Sequence, residues 1–179
     1  MRTHRILLAL VTVVSTATLA RAGVAQSTGA QPPAAGFARD AVMPASARKA
    51  VEDEIVRIVK AQWAAEMQHD AAAAVKNVAP EYTEFNGDFA TRLEGRDLTA
   101  RLSAADFKNS GKLLAAEMIN PKVQLYGNVA ILSYNYVGVT QDKDGKNEPT
   151  RAKSTRVYVK QGNDWMLVHG NFAADPQPK

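Results

Sequence analysis

The sequence contains no cysteine, and this absence removes several kinds of chemistry at once. The protein has no disulfide, no thiolate nucleophile and no thiolate metal ligand, and no lipid can be attached to a cysteine after export. A domain made from this chain must therefore be held together by its hydrophobic core, which a segment of this length is able to provide.

Histidine is scarce, with three residues in the whole chain. His69 and His169 are a hundred positions apart, and neither belongs to an HxxxH or HxH pair or to a cluster of carboxylates. No metal site is therefore predicted. The sequence also lacks a GxSxG nucleophile motif and a glycine-rich phosphate loop, so we expect no cofactor.

No charge of one sign dominates the chain once its N-terminus is set apart. The formal net charge is +4, but residues 1–22 contain Arg2, Arg5 and Arg21 and no acidic residue. The rest of the chain has 19 basic and 18 acidic side chains. This balance gives no electrostatic reason to expect binding to nucleic acid or to an anionic membrane.

Long apolar runs are limited to residues 6–19, which follow two arginines and precede Ala20-Arg21-Ala22. This pattern is typical of a secretory signal peptide, and the run is too short to predict a stable membrane anchor. We expect residues 1–22 to be removed on export to the periplasm or the medium of a bacterium. Small and polar residues over 23–44 predict a flexible tether, and residues 45–175 are expected to form one domain.

The domain begins with helical periodicity and ends with strand-forming runs. A stripe that includes Trp63 and Met67 predicts a helix over residues 45–69, and an alanine-rich segment predicts a short second helix over 70–77. The other predicted elements are a strand over 81–86, a helix over 96–109, and strands over 113–125 (bent at Asn120-Pro121), 129–141, 154–160 and 165–172. Helices gathered before a series of strands predict an α+β fold.

The last predicted strand carries the most informative pattern. Side chains alternate along a strand, so Trp165, Leu167, His169 and Asn171 are expected on one face. An indole, an aliphatic group, an imidazole and an amide on one face would line the wall of a partly apolar pocket.

The long helix with Trp63, the segment Leu93-Glu94-Gly95-Arg96-Asp97 and the closing Trp165-Met166-Leu167-Val168-His169 together resemble the nuclear transport factor 2-like superfamily. Within it the chain is most similar to the SnoaL-like and DUF4440 group, over about residues 48–173. The resemblance implies a cone, in which three N-terminal helices pack on a curved antiparallel sheet around a pocket. It also implies a homodimer formed through the outer face of the sheet.

A pocket of this kind is expected to bind a small, mostly apolar molecule. His169 is the strongest single candidate for a ligand contact because imidazole titrates near neutrality, and the alternative is a structural histidine bonded to a neighbouring strand. The residues expected to line the pocket are Trp63, Met67, Tyr82, Phe85, Tyr134, Tyr158, Trp165, His169 and Asn171.

Catalysis is a separate hypothesis, based on the resemblance to ketosteroid isomerase, an enzyme of the same superfamily. Its carboxylate base lies at the end of the first strand, where this chain has Phe85 or Asn86, and neither residue can take up a proton. The remaining candidates are the nearby Glu84 and Asp88, together with His169.

Three functions therefore remain open from the sequence. The first is an exported binding domain, the second a cofactor-independent isomerase, cyclase or hydratase that uses the same pocket, and the third a homodimeric assembly module whose pocket is filled. A carboxylate inside the cone would favour the enzyme, because burial brings the pKa of a carboxylate toward neutrality. The sequence alone does not place one there.

Overall fold

A computed structural model describes residues 43–109 and 111–175, so the predicted signal peptide and nearly all of the predicted tether lie outside the described residues. The described chain forms three helices, six strands and their connections. In chain order the elements are α1 (Ala45–Met67), α2 (Ala71–Ala74), β1 (Val78–Asn86), β2 (Leu93–Glu94), α3 (Arg96–Asn109), β3 (Lys112–Tyr126), β4 (Val129–Gln141), β5 (Asn147–Gln161) and β6 (Asp164–Ala174). None of the described helices is long and apolar enough to cross a membrane.

Helix α1 ends two residues before the predicted end, because the chain closes it with a turn at His69. The Asp70 amide donates to the Ala65 carbonyl over 2.9 Å, and the His69 amide donates to the Glu66 carbonyl over 3.0 Å. This is the Schellman pattern, in which the residue after the helix takes a left-handed conformation. His69 does so with φ 57, at a position where glycine is usual.

The six strands form one sheet in the order β2-β1-β6-β5-β4-β3. Four of the five ladders are antiparallel, as predicted, but β1 runs parallel to β6. The sheet is therefore mixed. The chain passes from β1 through α3 and the other strands before β6 lies beside β1, and β6 then runs in the same direction as β1.

Strand β1 begins three residues earlier than predicted, at Val78, and continues past Pro80. Its pairing with β6 shifts in register between Val78 and Thr83, so Pro80 lies where the ladder is already interrupted. A proline is tolerated there because no ladder hydrogen bond needs its missing amide. The predicted bend in β3 is present: the register shifts between Ile119 and Lys122, and Asn120 has φ 52.

Strand β6 contains a β-bulge that the sequence pattern did not reveal. Leu167 pairs with Tyr158 and His169 pairs with Val157, so Val168 has no partner of its own on β5. One additional residue reverses the direction of every later side chain relative to the alternation. The face of β6 that carries Trp165 and Leu167 is therefore continued by Gly170 and Phe172, and not by His169 and Asn171.

The core lies between α1 and one face of the sheet, which we call the inner face. Trp63 of α1 packs edge-on against Tyr134 and Tyr136 of β4, with ring centroids 5.9 and 5.5 Å apart. The fully buried large side chains of this layer are Ile55, Ile58, Val59, Leu132, Tyr158 and Leu167.

Candidate functional site

The inner face contains a buried arginine. Arg156 of β5 is 8% exposed and lies between the sheet and α1. Its Nε donates to the Tyr134 hydroxyl over 3.0 Å, and its Nη1 donates to Oε1 of Gln62 over 2.8 Å. The guanidinium carbon also lies 4.9 Å from the centre of the Phe172 ring. These partners are all neutral, and no described carboxylate is within ion-pair distance of this buried cation.

A second polar group on the same face is centred on Glu84, which is also 8% exposed. One carboxylate oxygen accepts from the Tyr82 hydroxyl over 2.7 Å, and the other accepts from the Asn86 amide over 3.0 Å. Burial, together with the neighbouring Glu84 charge, raises the pKa of Tyr82, so its hydroxyl stays protonated and continues to donate. Both oxygens of Glu84 are thus satisfied within the fold.

Glu66 is a further carboxylate, half-buried on α1, four residues after Gln62 and therefore on the same side of the helix. Burial raises its pKa, the positive charge of Arg156 opposes that rise, and the charge of Glu84 adds to it. Among the described contacts its carboxylate has no hydrogen-bond or ion-pair partner. Tyr136 is close enough that burial and the Glu66 charge raise its pKa to about 12.

Glu66 lines a cavity of about 310 Å³ between the end of α1, helix α3 and strands β3 and β4, which we call the mouth cavity. His69 and Phe107 stack face to face beside it, with centroids 4.9 Å apart and planes 5° from parallel. The cavity is lined by Glu66, His69, Ser103, Asp106, Phe107, Gly111, Leu113 and Thr140. No lysine or arginine is among these lining residues.

The hydroxyl of Tyr158 is the one buried side-chain polar atom of the described residues with no protein hydrogen-bond partner. The side chain is fully buried on the inner face beside Arg156. Burial raises the pKa of Tyr158 to about 12 against the opposing effect of the nearby Arg156 guanidinium, which lies outside hydrogen-bond geometry, so the hydroxyl is neutral and able both to donate and to accept. Buried polar groups without partners are rare in native structures, and this one lies next to a cation whose partners are neutral.

The prediction that Trp165, Leu167, His169 and Asn171 share one face is wrong, because the bulge at Val168 separates the first two from the last two. Trp165 and Leu167 are buried on the inner face. His169 and Asn171 lie on the outer face, where they pair with Val157 and Thr155 of β5.

On the outer face His169 is bonded to a neighbouring strand, which was the alternative to a ligand contact in the sequence analysis. Its Nδ1 is 2.8 Å from the Thr83 hydroxyl of β1, and its ring meets the edge of Phe85 at 6.0 Å between centroids. Phe85 also lies on this face and is 49% exposed. His169, Asn171 and Phe85 therefore do not line the cone interior, and their role in binding stays a prediction for the outer surface only.

The other predicted site residues fall in three places. Tyr82, Tyr134 and Tyr158 lie in the interior around Arg156 and Glu84. Trp63 and Met67 line a separate groove of about 430 Å³ between α1 and β3, and Trp63 also reaches the interior through Tyr134. Asp88 is exposed in the turn after β1, where its backbone amide donates to Oδ1 of Asn86 over 3.1 Å.

Three residues of the interior were not predicted as site residues: Arg156, Gln62 and Glu66. The signal for two of them was present, since Gln62 and Glu66 are polar residues at core positions of the apolar stripe of α1. Among the described residues no group of three histidine or carboxylate side chains is arranged to hold a metal ion.

A model of the calcium/calmodulin dependent protein kinase II association domain matches residues 51–176 of the chain. None of the curated proteins compared with the chain matches it significantly. The family match is thus to the association domain rather than to the SnoaL-like or DUF4440 group.

Solved structures with the same fold include the association domain of C. elegans CaMKII, with 20% identity and a TM-score of 0.59 over 70% of this chain and 97% of that one. A nuclear transport factor 2-like superfamily protein from Salmonella enterica has 16% identity and a TM-score of 0.65, covering 74% and 96%. The CaMKII hub homology domain of Chlamydomonas reinhardtii has 19% identity and a TM-score of 0.61, covering 70% and 99%. The predicted α+β fold of the nuclear transport factor 2-like superfamily is confirmed.

Proposed function

This chain belongs to the calcium/calmodulin dependent protein kinase II association domain family, and we propose that it is an exported, self-associating domain whose cone binds a small molecule with one carboxylate group. The observation that carries the ligand proposal is Arg156, a buried cation whose protein partners are neutral. A buried charge is costly unless it is paired, and a bound carboxylate would provide the pairing and accept two guanidinium hydrogen bonds.

The surroundings of Arg156 suggest the rest of the ligand. The Tyr158 hydroxyl is buried beside it without a protein partner, and it can donate to a carboxylate oxygen. The Phe172 ring lies over the guanidinium and presents apolar surface, while the Tyr134 hydroxyl accepts a hydrogen bond from Nε. A short apolar chain that ends in a carboxylate fits this combination, and it refines the expectation of a mostly apolar ligand.

Binding is tested by isothermal titration calorimetry with straight-chain carboxylates, such as valerate and caproate, and with the primary amides of the same acids. The acids are expected to bind and the amides to bind at least about tenfold more weakly, because charged hydrogen bonds are worth roughly 1.5–3 kcal/mol. Equal binding of acid and amide, or no binding of either, would contradict the proposal.

A pair of variants identifies the site. Arg156→Gln is expected to lose the preference for the acid, whereas Arg151→Gln should retain it. Arg151 is on the same strand but is exposed on the outer face, opposite Val137. The acid and amide comparison in the unchanged protein remains decisive if Arg156→Gln does not fold.

Self-association is supported by the outer face of the sheet, where apolar side chains are only half-buried within one chain. Val129 pairs with Val159 and Ile131 pairs with Val157, so four aliphatic side chains form one patch on adjacent strands. A surface of this kind is typical of an interface between subunits.

Light scattering coupled to gel filtration tests the interface. The protein is expected to run as an oligomer, and Val157→Glu is expected to shift it toward a monomer, while Thr155→Glu, two positions along the same face at an exposed site, should have a smaller effect. A protein that is monomeric at tens of micromolar would contradict self-association.

Export is tested by expressing the full chain in a bacterium and sequencing the N-terminus of the product, which should begin after residue 22.

Glu66 supports a second candidate function, cofactor-independent proton transfer. It is a carboxylate inside the cone with its pKa raised by burial, the feature that general-base chemistry needs. Levulinate has a ketone and a carboxylate, and proton transfer would exchange its hydrogens next to the ketone for deuterium in heavy water. Exchange that depends on Glu66, measured by NMR, would favour the enzyme, and a rate equal to that of the buffer would exclude this activity for levulinate.

A further inference from the structure

The cone interior holds charges of both signs that do not pair with each other. Arg156 is positive and Glu84 is negative, and both lie close enough to Glu66 to shift its pKa. Glu84 is satisfied by Tyr82 and Asn86, whereas Arg156 is bonded only to neutral groups and Glu66 has no described partner. Two groups of opposite charge therefore face the interior with unused bonding capacity.

Glu66 and the partner of Arg156 are neighbours on α1. Gln62 accepts a hydrogen bond from Arg156. Glu66 follows Gln62 by four residues, so the β-carbons of Gln62 and Glu66 are roughly 5–6 Å apart on the same side of the helix. Arg156 and Glu66 are not within 4.0 Å of each other, since no ion pair joins them. A short chain with a charged group at each end could contact both.

The charge count of the interior favours a ligand that also carries a positive group. With both glutamates ionised, one cation faces two anions, and a plain carboxylate would add a third anion. An amino acid adds no net charge and pairs both unused groups. Buried like charges disfavour one another strongly, so the ammonium end offsets the cost of bringing the carboxylate in.

The mouth cavity suits an ammonium group as well. Its lining combines the Glu66 and Asp106 side chains with the hydroxyls of Ser103 and Thr140, all of which can accept hydrogen bonds. The Phe107 ring, which His69 covers on one face, also lines the cavity, and its other face is able to attract an organic cation.

From this arrangement, and resting on the proposed function, we propose that the ligand of the cone is a zwitterion: an amino acid with separated ends, whose carboxylate meets Arg156 and whose ammonium meets Glu66 in the mouth cavity.

Calorimetry with matched pairs of ligands tests this inference on the full mature protein. The pairs are valerate with δ-aminovalerate and caproate with ε-aminocaproate, which differ only by the terminal ammonium. At least one amino acid is expected to bind about tenfold or more tightly than its parent acid, the effect of one partly buried charged hydrogen bond.

Two variants assign the effect to its residue. Glu66→Gln is expected to remove the advantage of the amino acid while leaving the parent acid bound as tightly as before or more tightly. Glu81→Gln changes an exposed carboxylate on β1 and should leave the advantage unchanged.

The outcomes separate the inference from the proposed function. Binding of the parent acids with no advantage for either amino acid would overturn the inference and leave the carboxylate site in place. An advantage that persists in Glu66→Gln would overturn the assignment of the ammonium to Glu66. Binding of neither kind of ligand would overturn the carboxylate site and the inference with it. The ligand comparison in the unchanged protein decides the matter even if Glu66→Gln does not fold.

Discussion

Replacing Tyr158 by phenylalanine is expected to stabilise the unliganded protein. The ring is fully buried and is retained by the substitution, so packing is conserved. The hydroxyl is buried without a protein partner, and a buried unsatisfied polar group costs about 1–3 kcal/mol. Removing it should recover part of that cost, and we expect an increase of about 1 kcal/mol in the free energy of unfolding.

The measurement is urea unfolding followed by tryptophan fluorescence, at one fixed protein concentration because the proposed self-association would contribute to apparent stability. Tyr126→Phe is the matched control, since the Tyr126 hydroxyl accepts from Gln124 over 3.2 Å at a half-buried position on the sheet. Its effect is expected to stay within about 0.5 kcal/mol.

A second measurement links this stability to function. The Tyr158 hydroxyl is proposed to donate to the ligand carboxylate, so Tyr158→Phe should bind caproate more weakly than the unchanged protein although it is more stable. A gain in stability at the expense of binding is common at functional sites. A loss of about 1 kcal/mol or more in Tyr158→Phe would refute the reasoning, because it would mean that the hydroxyl makes a bond that stabilises the fold.

Substitutions at three further positions have defined outcomes. Gly170→Ala would place a β-carbon 2.5 Å from the Tyr82 hydroxyl and 3.0 Å from the Phe172 ring, so we expect a loss of about 1–3 kcal/mol in urea unfolding, and an unchanged midpoint would contradict this packing. The pKa of Glu66 is raised above its ordinary value of 4.5, so its carboxyl group binds a proton more tightly in the native state than in the unfolded chain. The contribution of Glu66 to stability therefore falls as the pH rises from about 4.5 through the raised pKa. Glu66→Gln should remove that decline and be the more stable form at neutral pH, and parallel pH profiles of the two proteins would argue against it. Asn120 has a positive φ, so Asn120→Val should cost about 1–2 kcal/mol while Asn120→Gly is nearly neutral, and equal thermal midpoints would contradict the strain.

The elements whose ends are marked by local chemistry could be predicted from the sequence. The helix over 96–109 and the strand over 129–141 have the predicted bounds, because Gly95 and the turn at residues 127–128 interrupt the chain there. The closing hairpin is present as predicted, with Gly162 at φ 60 in its turn. The parallel pairing of β1 with β6 could not be predicted, since it depends on how distant segments return to each other.

Arg156 was not predicted because charged side chains are seldom buried, although Tyr158, two positions along the same face of β5, was expected to line the pocket. Val157 and Val159 suggest an inward face by their apolar character, yet they pair with Ile131 and Val129 on the outer face. Arg156 and Tyr158 are the inward residues, together with Ser154. An outward row of valines has a physical reason if that face is covered by another copy of the chain, as proposed above.

The bulge at Val168 explains why Trp165 and Leu167 lie on a different face of the sheet from His169 and Asn171. Without the bulge, strict alternation would point His169 to the same face as Leu167, which is two positions earlier, and therefore toward the interior. With it, the inward position opposite Arg156 is Gly170, which has no side chain. The absence of a side chain leaves space for the Tyr82 hydroxyl, which would be 2.5 Å from an added β-carbon, and Phe172 then places its ring over the guanidinium. The buried polar interior and the outward histidine thus have the same local cause, and nothing marks it in the sequence because Val168 is as good a strand former as its neighbours.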